Sequence, residues 1–333
     1  MSVSVGIIGV GVMGSDHART LIANVPGARL RALHDADIAR ARTIADETGA
    51  DTVASDPLAI INDRQIDAVL IASPDSTHRD LTLACLAAGK PVLCEKPLAP
   101  TARECLEIIA AETRIGRRLV QIGYMRRFDP AYGEMKAVLG AGKLGRALMF
   151  HCFHRNVSAP PWFDSKMAIT NSAVHEFDIA RWLLDCDFVK VQVFRPNAAA
   201  ADETGGPVFL VLETSGGQLV NIETFNNAGY GYDVRGELVC EKGTVSLRAP
   251  LNSETNHALV HGTSYPPDWR GRFAAAYRVQ LQAWVRSISA GNSSGASAWD
   301  GYAAGATAEA ALLALAEGRP IPITLDERPR FYR

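Results

Sequence analysis

The residues best suited to chemistry are a lysine, a histidine and an asparagine from two distant segments. Lys96 ends an apolar run, in Leu93-Cys94-Glu95-Lys96-Pro97, and His175 follows Asn171 by four residues. Taking hydride from an alcohol requires a base for the hydroxyl proton and a donor that holds the developing alkoxide. His175, neighboured by Asn171 on a helix, fits the first role, and Lys96 fits the second.

Each segment also has a plainer interpretation. Glu95 and Lys96 could be an ordinary solvated pair at a strand end, and spacing alone does not separate the two possibilities. Asn171 could cap a helix above a structural histidine, which is the better interpretation for an isolated Asn-x-x-x-His. Asp178 falls three residues further along the same helical stripe.

A glycine-rich turn, Gly9-Val10-Gly11-Val12-Met13-Gly14, follows one apolar run and opens a helix. Gly9 allows a tight turn, Gly11 lets the backbone approach a pyrophosphate, and Gly14 allows close packing of helix and strand. The free N–H groups and dipole of the helix start, at Val12 and Met13, favour phosphate. The turn therefore predicts a dinucleotide site.

Asp35 ends the second strand, 26 residues after Gly9. A carboxylate there accepts both ribose hydroxyls of the adenosine half and repels a 2′-phosphate, which favours NAD over NADP. Asp35 or Asp37 could instead cap the following helix, and Asp37 is well placed for that. Arg40 and Arg42 nearby keep NADP as a minor alternative.

Strands and helices alternate through residues 1–124, which predicts one α/β domain. Strands are expected at 3–8, 29–34, 66–72, 91–94 and 118–124, and helices at 11–24, 38–48, up to 88 and from 101. Such a pattern predicts a parallel sheet with helices on both faces, a doubly wound sheet. Ligands bind beyond the carboxyl ends of its strands, where these residues should lie: Gly9, Asp35, Ser73, Glu95, Lys96 and Tyr124.

Residues 125–333 form a predicted second domain of α+β type. Successive strands are expected at 148–155, 189–194, 208–213, 218–225, 234–240 and 243–248, with Gly216-Gly217 as a hairpin turn. This predicts a large, open, mostly antiparallel sheet. Helices are expected at 171–185, 272–290 and 299–317, and the last two could return to cover the first domain.

Composition excludes several classes of protein. The chain has 333 residues, 47% of them apolar, and a net charge of −2, so neither nucleic acid nor a membrane surface is an expected partner. Its strand-like first residues carry no basic segment and no cleavage region, so a signal peptide is not expected, and no apolar run reaches the roughly 18 residues that a membrane span needs. Six scattered cysteines without a C-x-x-C pair indicate buried thiols and neither disulfides nor zinc. We therefore expect a cytoplasmic protein without a metal.

Other polar groups of the chain could line a pocket. His151 and His154 are an odd number apart on a strand, so they face opposite ways and cannot share a metal. His154 and Asn156 share a face that could line a polar pocket. Arg126-Arg127 could clamp a phosphate, although two basic residues after a strand are more often on the surface.

Seven segments together resemble the Gfo/Idh/MocA family of oxidoreductases, and within it the inositol 2-dehydrogenases. They are GIIGVGVMGSDHA at 6–18, ASPDSTH at 72–78, CEKPLAPT at 94–101, QIGYMRRFDPAY at 121–132, NSAVHEFDIARWLL at 171–184, YGYDVRGELVCEKGTVSL at 230–247 and SAWDGYAA at 297–304. The resemblance implies a Rossmann domain, NAD, and oxidation of a secondary hydroxyl of a cyclic polyol, with myo-inositol foremost. It also implies a dimer or homotetramer formed face to face.

Site residues follow from the matching positions. The resemblance implies that Lys96 touches the reacting hydroxyl and the nicotinamide ribose, and that His175 is the acid/base. Along the cofactor it places Ser73, Pro74 and His78, with Glu95 beside the nicotinamide ribose. It lines the polyol pocket with Met125, Arg126, His154, Asn156 and Tyr232.

One residue departs from the family pattern. Inositol dehydrogenases of the family usually have an aspartate where this chain has Asn171, and a neutral amide does not stabilise an imidazolium electrostatically. His175 should then be a weaker base, or the substrate differs, for example an aldose, a pyranose or an anhydrosugar. A non-catalytic NAD-sensing regulator is a further alternative, and the presence of both Lys96 and His175 speaks against it.

Overall fold

A computed structural model describes residues 2–196, 207–248, 254–291 and 293–333. The chain forms two compact units. The first contains Met1–Phe128, Ala276–Gly305 and Asp326–Arg333, and the second contains Asp129–Ala275 and Ala306–Leu325. Parts of the two C-terminal helices therefore belong to the first unit. A single domain boundary after residue 124 stays a prediction.

The first unit has a six-stranded sheet in the order β3-β2-β1-β4-β5-β6, with every neighbouring pair parallel. The strands are β1 (Val3–Ile8), β2 (Ala28–His34), β3 (Thr52–Val53), β4 (Ala68–Ile71), β5 (Val92–Cys94) and β6 (Val120–Ile122). The chain moves outward from β1 in one direction and then from β4 in the other. The crevice where this order reverses is where such sheets bind ligands. The predicted doubly wound α/β fold is confirmed.

Five helices connect these strands: α1 (Val12–Asn24), α2 (Ile38–Thr48), α3 (Pro57–Asn62), α4 (His78–Ala87) and α5 (Ala102–Ile115). Residues at their ends explain their limits. Asp37 caps α2 through a bond from the Arg40 N–H, and Gly49 ends it in the left-handed conformation at φ 70°. Thr101 and Glu104 form a reciprocal capping box at α5.

The core of the first unit contains apolar side chains from β1, β2, α1 and the long helix α9 (Trp269–Ala290). Val5, Ile7, Leu21 and Trp284 are almost fully buried within it. A buried carboxylate, Glu112 of α5, accepts the N–H groups of Leu119 and Val120 at 2.5 and 2.7 Å and the Tyr332 hydroxyl. The last residues of the chain are thereby held to this unit.

The second unit has a seven-stranded sheet in the order β12-β11-β7-β10-β9-β8-β15, in which only the β7–β10 pair is parallel. Its strands are β7 (Ala147–Arg155), β8 (Phe188–Phe194), β9 (Val208–Thr214), β10 (Leu219–Phe225), β11 (Asp233–Cys240), β12 (Gly243–Ser246) and β15 (Ile321–Pro322). The Gly216-Gly217 turn joins β9 to β10 as predicted, with Gly217 at φ 84°. The predicted mostly antiparallel sheet is confirmed.

Further elements complete the described chain: α6 (Pro130–Gly140), α7 (Ser165–Met167), α8 (Val174–Leu184), α10 (Ala298–Glu317) and the hairpin of β13 (Glu254–His257) and β14 (Val260–Thr263). A π-helical turn, Ala168–Ala173, leads directly into α8. The helix predicted at 171–185 is thus α-helical only from Val174. In the described part of the chain, no helix is long and apolar enough to cross a membrane.

Candidate active site

The glycine turn lies between β1 and α1 and is closely packed. A Cβ added at Gly9, whose φ is 88°, would lie 2.4 Å from the Ser73 nitrogen, and one at Gly14 would lie 1.9 Å from the Gly9 carbonyl oxygen. No atom lies within 4 Å of a Cβ built at Gly11. The three glycines thus separate into two that permit close packing and one that faces open space.

A cavity of about 750 Å³ opens at this turn. Its lining comes from the ends of β1, β2 and β4 and includes Gly9, Gly11, Asp35, Arg40, Ser73 and Pro74. Val12 and Met13 form the first turn of α1, and Val12 is 64% exposed. The structure therefore brings five of the predicted cofactor residues, Gly9, Gly11, Asp35, Ser73 and Pro74, to one cavity of the first unit.

The Asp35 carboxylate accepts hydrogen bonds from several donors. It accepts the N–H groups of Val10 and Asp37, each at 2.8 Å, and the Arg40 guanidinium at 2.6 Å. Burial raises the pKa of this carboxyl, but the Arg40 bond and the backbone N–H groups outweigh burial and lower it. Asp35 is therefore ionised at the cavity wall, as an acceptor for ribose hydroxyls requires, while Asp37 caps α2.

His78 lies behind this cavity and is 1% exposed. Its Nδ1 lies 2.7 Å from the Pro97 carbonyl and its Nε2 lies 2.9 Å from the Ser73 carbonyl. Burial lowers the pKa of His78, whereas Cys94, the Pro97 carbonyl and Asp75 raise it, to about 10 overall. His78 thus joins the segments that follow β4 and β5, and a direct contact with the cofactor stays a prediction.

Glu95 and Lys96 follow β5, and they are not an ordinary solvated pair. Glu95 is 6% exposed; one carboxylate oxygen lies 2.7 Å from His17 Nε2, and the other accepts the Lys96 N–H at 3.2 Å. Burial raises the pKa of Glu95, but the hydrogen bond and charge of His17 outweigh it and lower the pKa. Gly123 makes room, because a Cβ there would lie 2.6 Å from the Glu95 carboxylate. Lys96 itself is partly exposed.

The segment after β6 forms a short 3-10 turn, Met125–Phe128. Met125 and Arg126 are 2% and 1% exposed, so the view of the arginine pair as a surface feature is wrong for Arg126. Arg127 forms an ion pair with Asp300 at 3.1 Å, and Asp300 also bonds Ser297 at the start of α10. The SAWDGYAA segment therefore holds this turn within the first unit.

A polar cluster in the second unit contains His154 of β7, His175 of α8 and Tyr232, the residue before β11. The ring of His154 lies 6.3 Å from that of His175 and 6.2 Å from that of Tyr232, between centroids. His154 Nδ1 lies 3.1 Å from the Glu176 carboxylate, and both side chains are buried. Three predicted pocket residues are thus close together, beside a carboxylate that the sequence interpretation did not include.

Asn156 and Asn171 lie on neighbouring segments of the same unit. Asn156 donates to Asn226, which also accepts the Ser172 hydroxyl at 3.0 Å. Asn171 is partly exposed and lies in the π-helical turn before His175. Such turns occur frequently at functional sites. The four-residue spacing used to pair Asn171 with His175 assumed an α-helix, so that pairing stays a prediction.

Sequence reasoning missed His17, Gly123, Glu176, Ser172 and Asn226. His17 lies one turn beyond the glycine motif but meets its partner 78 residues away, and no local pattern signals such a contact. The sequence shows Glu176 only as the residue after His175 and gives no sign of its contact with His154. Among the described residues, no group of three His, Cys, Asp or Glu side chains is placed to hold a metal ion.

The first unit fits a dinucleotide on its own geometry. The open space at Gly11 and the start of α1, where the N-cap residue Gly11 provides no side-chain cap, suit a pyrophosphate. The ionised Asp35 suits ribose hydroxyls and repels a 2′-phosphate. These residues would hold NAD in the cavity of about 750 Å³.

Comparison with known proteins agrees with this geometry. Residues 3–124 match the oxidoreductase family GFO_IDH_MocA, NAD-binding Rossmann fold, and residues 136–324 match its C-terminal alpha/beta domain. Inositol 2-dehydrogenase 1 of Saccharopolyspora erythraea is 52% identical, covering 100% of this chain and 99% of that protein. Inositol 2-dehydrogenase of Azotobacter vinelandii is 40% identical, with 100% and 99% covered.

Solved structures give the same result. Myo-inositol dehydrogenase from Lactobacillus casei, in complex with NAD(H) and myo-inositol, has a TM-score of 0.95 at 30% identity, with 100% of both chains covered. A putative myo-inositol dehydrogenase from Sinorhizobium meliloti has a TM-score of 0.88 at 30% identity, covering 97% of this chain and 100% of that one. This chain belongs to the Gfo/Idh/MocA family of NAD-binding oxidoreductases.

Proposed function

We propose that this protein is an NAD-dependent dehydrogenase that oxidises a secondary hydroxyl of a cyclic polyol, with myo-inositol as the first substrate to test. The observation that carries the proposal is the full-length match to inositol 2-dehydrogenases at up to 52% identity. The NAD-suited cavity of the first unit and the polar cluster of the second unit support it.

The proposed roles follow from the chemistry of each side chain. Lys96 donates to the reacting oxygen and stabilises its developing charge. His175 accepts the hydroxyl proton as general base. NAD, when bound, would accept the hydride from the carbon that bears this hydroxyl. The hydroxyl loses its proton and the carbon that bears it loses a hydride, so a ketone remains.

The proposed polyol contacts are Met125, Arg126, His154, Asn156, Asn171 and Tyr232. Support comes from the second unit, where the ring of His154 lies near those of both His175 and Tyr232 and all three side chains are buried. Glu176 fixes the His154 ring through Nδ1. A polyol presents several hydroxyls, and this cluster offers both donors and acceptors.

The experiment is NADH absorbance with purified protein, NAD and a panel of inositols, aldoses and anhydrosugars. We expect absorbance to grow with an inositol, and Lys96→Met and His175→Asn to abolish most of that turnover. Tight NAD binding without turnover of any compound would contradict the proposal and favour an NAD-sensing regulator. NADP in place of NAD should support little turnover because Asp35 is ionised.

Asn171 favours a second candidate, a dehydrogenase of an aldose, pyranose or anhydrosugar. A neutral side chain here provides less electrostatic support to an imidazolium than the aspartate usual in inositol dehydrogenases. If inositol is the substrate, Asn171→Asp should raise turnover near pH 7, with Asn171→Ala as the control. An unchanged or lower rate with inositol, together with faster wild-type turnover of a sugar, would favour this candidate.

We also propose a cytoplasmic homo-oligomer. The six cysteines are free, as a reducing compartment allows. On the sheet of the second unit, Phe194 of β8 and Phe209 of β9 are paired in register and are 45% and 39% exposed. Such an exposed pair of aromatic rings suits a contact with a second copy of the chain. Light scattering of wild type should show a dimer or tetramer that Phe209→Glu weakens, and a monomeric wild type would contradict this.

A further inference from the structure

The helix that begins at the cofactor turn also reaches the segment of the catalytic lysine. His17 lies on the second turn of α1, three residues after Gly14, and is fully buried. Its Nε2 lies 2.7 Å from the Glu95 carboxylate. This contact is a direct polar link between α1 and the end of β5.

The tautomer of His17 follows from its partner. An ionised carboxylate only accepts hydrogen bonds, so His17 Nε2 carries the proton and donates it. The other ring nitrogen, Nδ1, is buried and has no hydrogen-bond partner among the described residues. The edge of the ring packs against Tyr277 of α9, with centroids 5.6 Å apart. Among the described residues, the hydrogen bond that the His17 side chain makes is therefore the one to Glu95.

Glu95, held by His17, in turn holds the backbone of Lys96. With one oxygen held by His17, its other oxygen accepts the backbone N–H of Lys96 at 3.2 Å. The backbone of Glu95 is fixed from the other side, because its N–H donates to the Ile71 carbonyl at 2.8 Å. The Gly123 backbone closes over the carboxylate, so Glu95 has little room to turn elsewhere.

We propose that His17 is a positioning residue for Lys96: it holds the Glu95 carboxylate against the Lys96 N–H and so fixes the point from which the lysine side chain reaches the substrate. The proposal deepens the proposed function and rests on it for the role of Lys96. A shift of about 1 Å in such a group costs about 100-fold in rate.

Three variants separate positioning from packing. His17→Leu removes the donor, and His17→Gln keeps an amide N–H that can reach the carboxylate. Leu21→Ala is the packing control, because Leu21 is fully buried on the same face of α1, one turn beyond His17. Turnover, KM for substrate and NAD, NAD affinity and melting temperature are measured for each.

We expect His17→Leu to lower kcat about 10- to 100-fold with little change in NAD affinity, and His17→Gln to recover most of it. Leu21→Ala should lower the melting temperature at least as much while kcat stays within about twofold. Equal loss of kcat in Leu21→Ala, or no better activity in His17→Gln than in His17→Leu, would overturn the proposal.

A second readout does not depend on turnover. The Lys96 side-chain resonance, assigned with a Lys96→Arg sample, is titrated by NMR in wild type, His17→Leu and Leu21→Ala. A changed titration midpoint in His17→Leu alone supports positioning even if no polyol is oxidised, in which case only the proposed function fails. Identical midpoints in all three proteins would overturn the positioning role.

Discussion

Asp35 and Glu95 are both buried carboxylates that directly follow parallel strands of the same sheet, and they are 5% and 6% exposed. Their surroundings differ. Asp35 lines the cavity and its strongest donor is the half-exposed Arg40, whereas Glu95 is enclosed by His17, Gly123 and the backbone. Asp35 lines the cavity, whereas each carboxylate oxygen of Glu95 already has a partner within the protein. Strand-end position alone therefore does not identify a ligand-binding group.

Removing Glu95 should have the largest effect on stability. Glu95→Ala leaves the His17 N–H buried without its acceptor, and an unsatisfied buried donor costs about 1–3 kcal/mol of unfolding free energy, to which the lost packing of the side chain adds. Chemical denaturation measures the loss, and Glu95→Gln, which keeps an acceptor, should lose less. A loss below about 1 kcal/mol in Glu95→Ala would show that Glu95 is not an internal brace.

Removing Asp35 should affect binding more than stability. In Asp35→Ala, water from the cavity can reach the released N–H groups, so the loss of unfolding free energy should be about 1–2 kcal/mol. The loss of a charged acceptor should raise the Kd for NAD about 10- to 100-fold. Calorimetry measures the binding. The contrast between the two carboxylates would be contradicted if Glu95→Gln raised the Kd for NAD as much as Asp35→Ala does.

Acid should test both carboxylates together. Their pKa values are lowered from the ordinary 3.8 for Asp35 and 4.5 for Glu95. A folded state that binds fewer protons gains stability as pH rises, so each contribution is complete above the ordinary value and disappears as pH falls through the lowered one. Unfolding free energy should decline below about pH 4.5, and less steeply in Glu95→Gln. Parallel curves would contradict the lowered pKa of Glu95.

Arg40 should matter least. Its side chain is 47% exposed, and an exposed ion pair contributes about 0–1 kcal/mol. Arg40→Ala leaves Asp35 with its two backbone donors, so we expect the Kd for NAD to change less than about threefold. A larger loss would mean that the guanidinium itself holds the cofactor and that Asp35 is not the main ribose acceptor.

Much of the fold could be predicted from sequence, because short-range patterns mark where many helices and strands begin and end. β1 and α2 have the predicted bounds, 3–8 and 38–48, because an apolar run, an aspartate cap and a left-handed glycine mark their ends. The π-helical turn at Ala168–Ala173 was not readable, since its residue pattern does not differ from that of an α-helix. Helix α3 and the β13–β14 hairpin were also missed, since they are short or consist of polar residues, and α6 was missed although Asp129 and Pro130 mark its start.

The candidate site divides in the same way. Gly9 could be predicted from the glycine-rich motif, and Asp35 from its position at the end of a predicted strand. The partners of Glu95 and His154 come from α1 and α8, far along the chain, and only folding brings them together. The burial of Arg126 was likewise set by tertiary packing, against the usual exposure of paired basic residues.

The bond from Tyr332 to Glu112 has a consequence for synthesis on the ribosome. The first unit takes segments from three parts of the chain, the last of them Asp326–Arg333. While the N-terminal 128 residues emerge, Trp284 of their core and the hydroxyl for Glu112 have not yet been translated. The cofactor-binding unit therefore reaches its final structure only after the C-terminal residues leave the exit tunnel, although it is the first to be made.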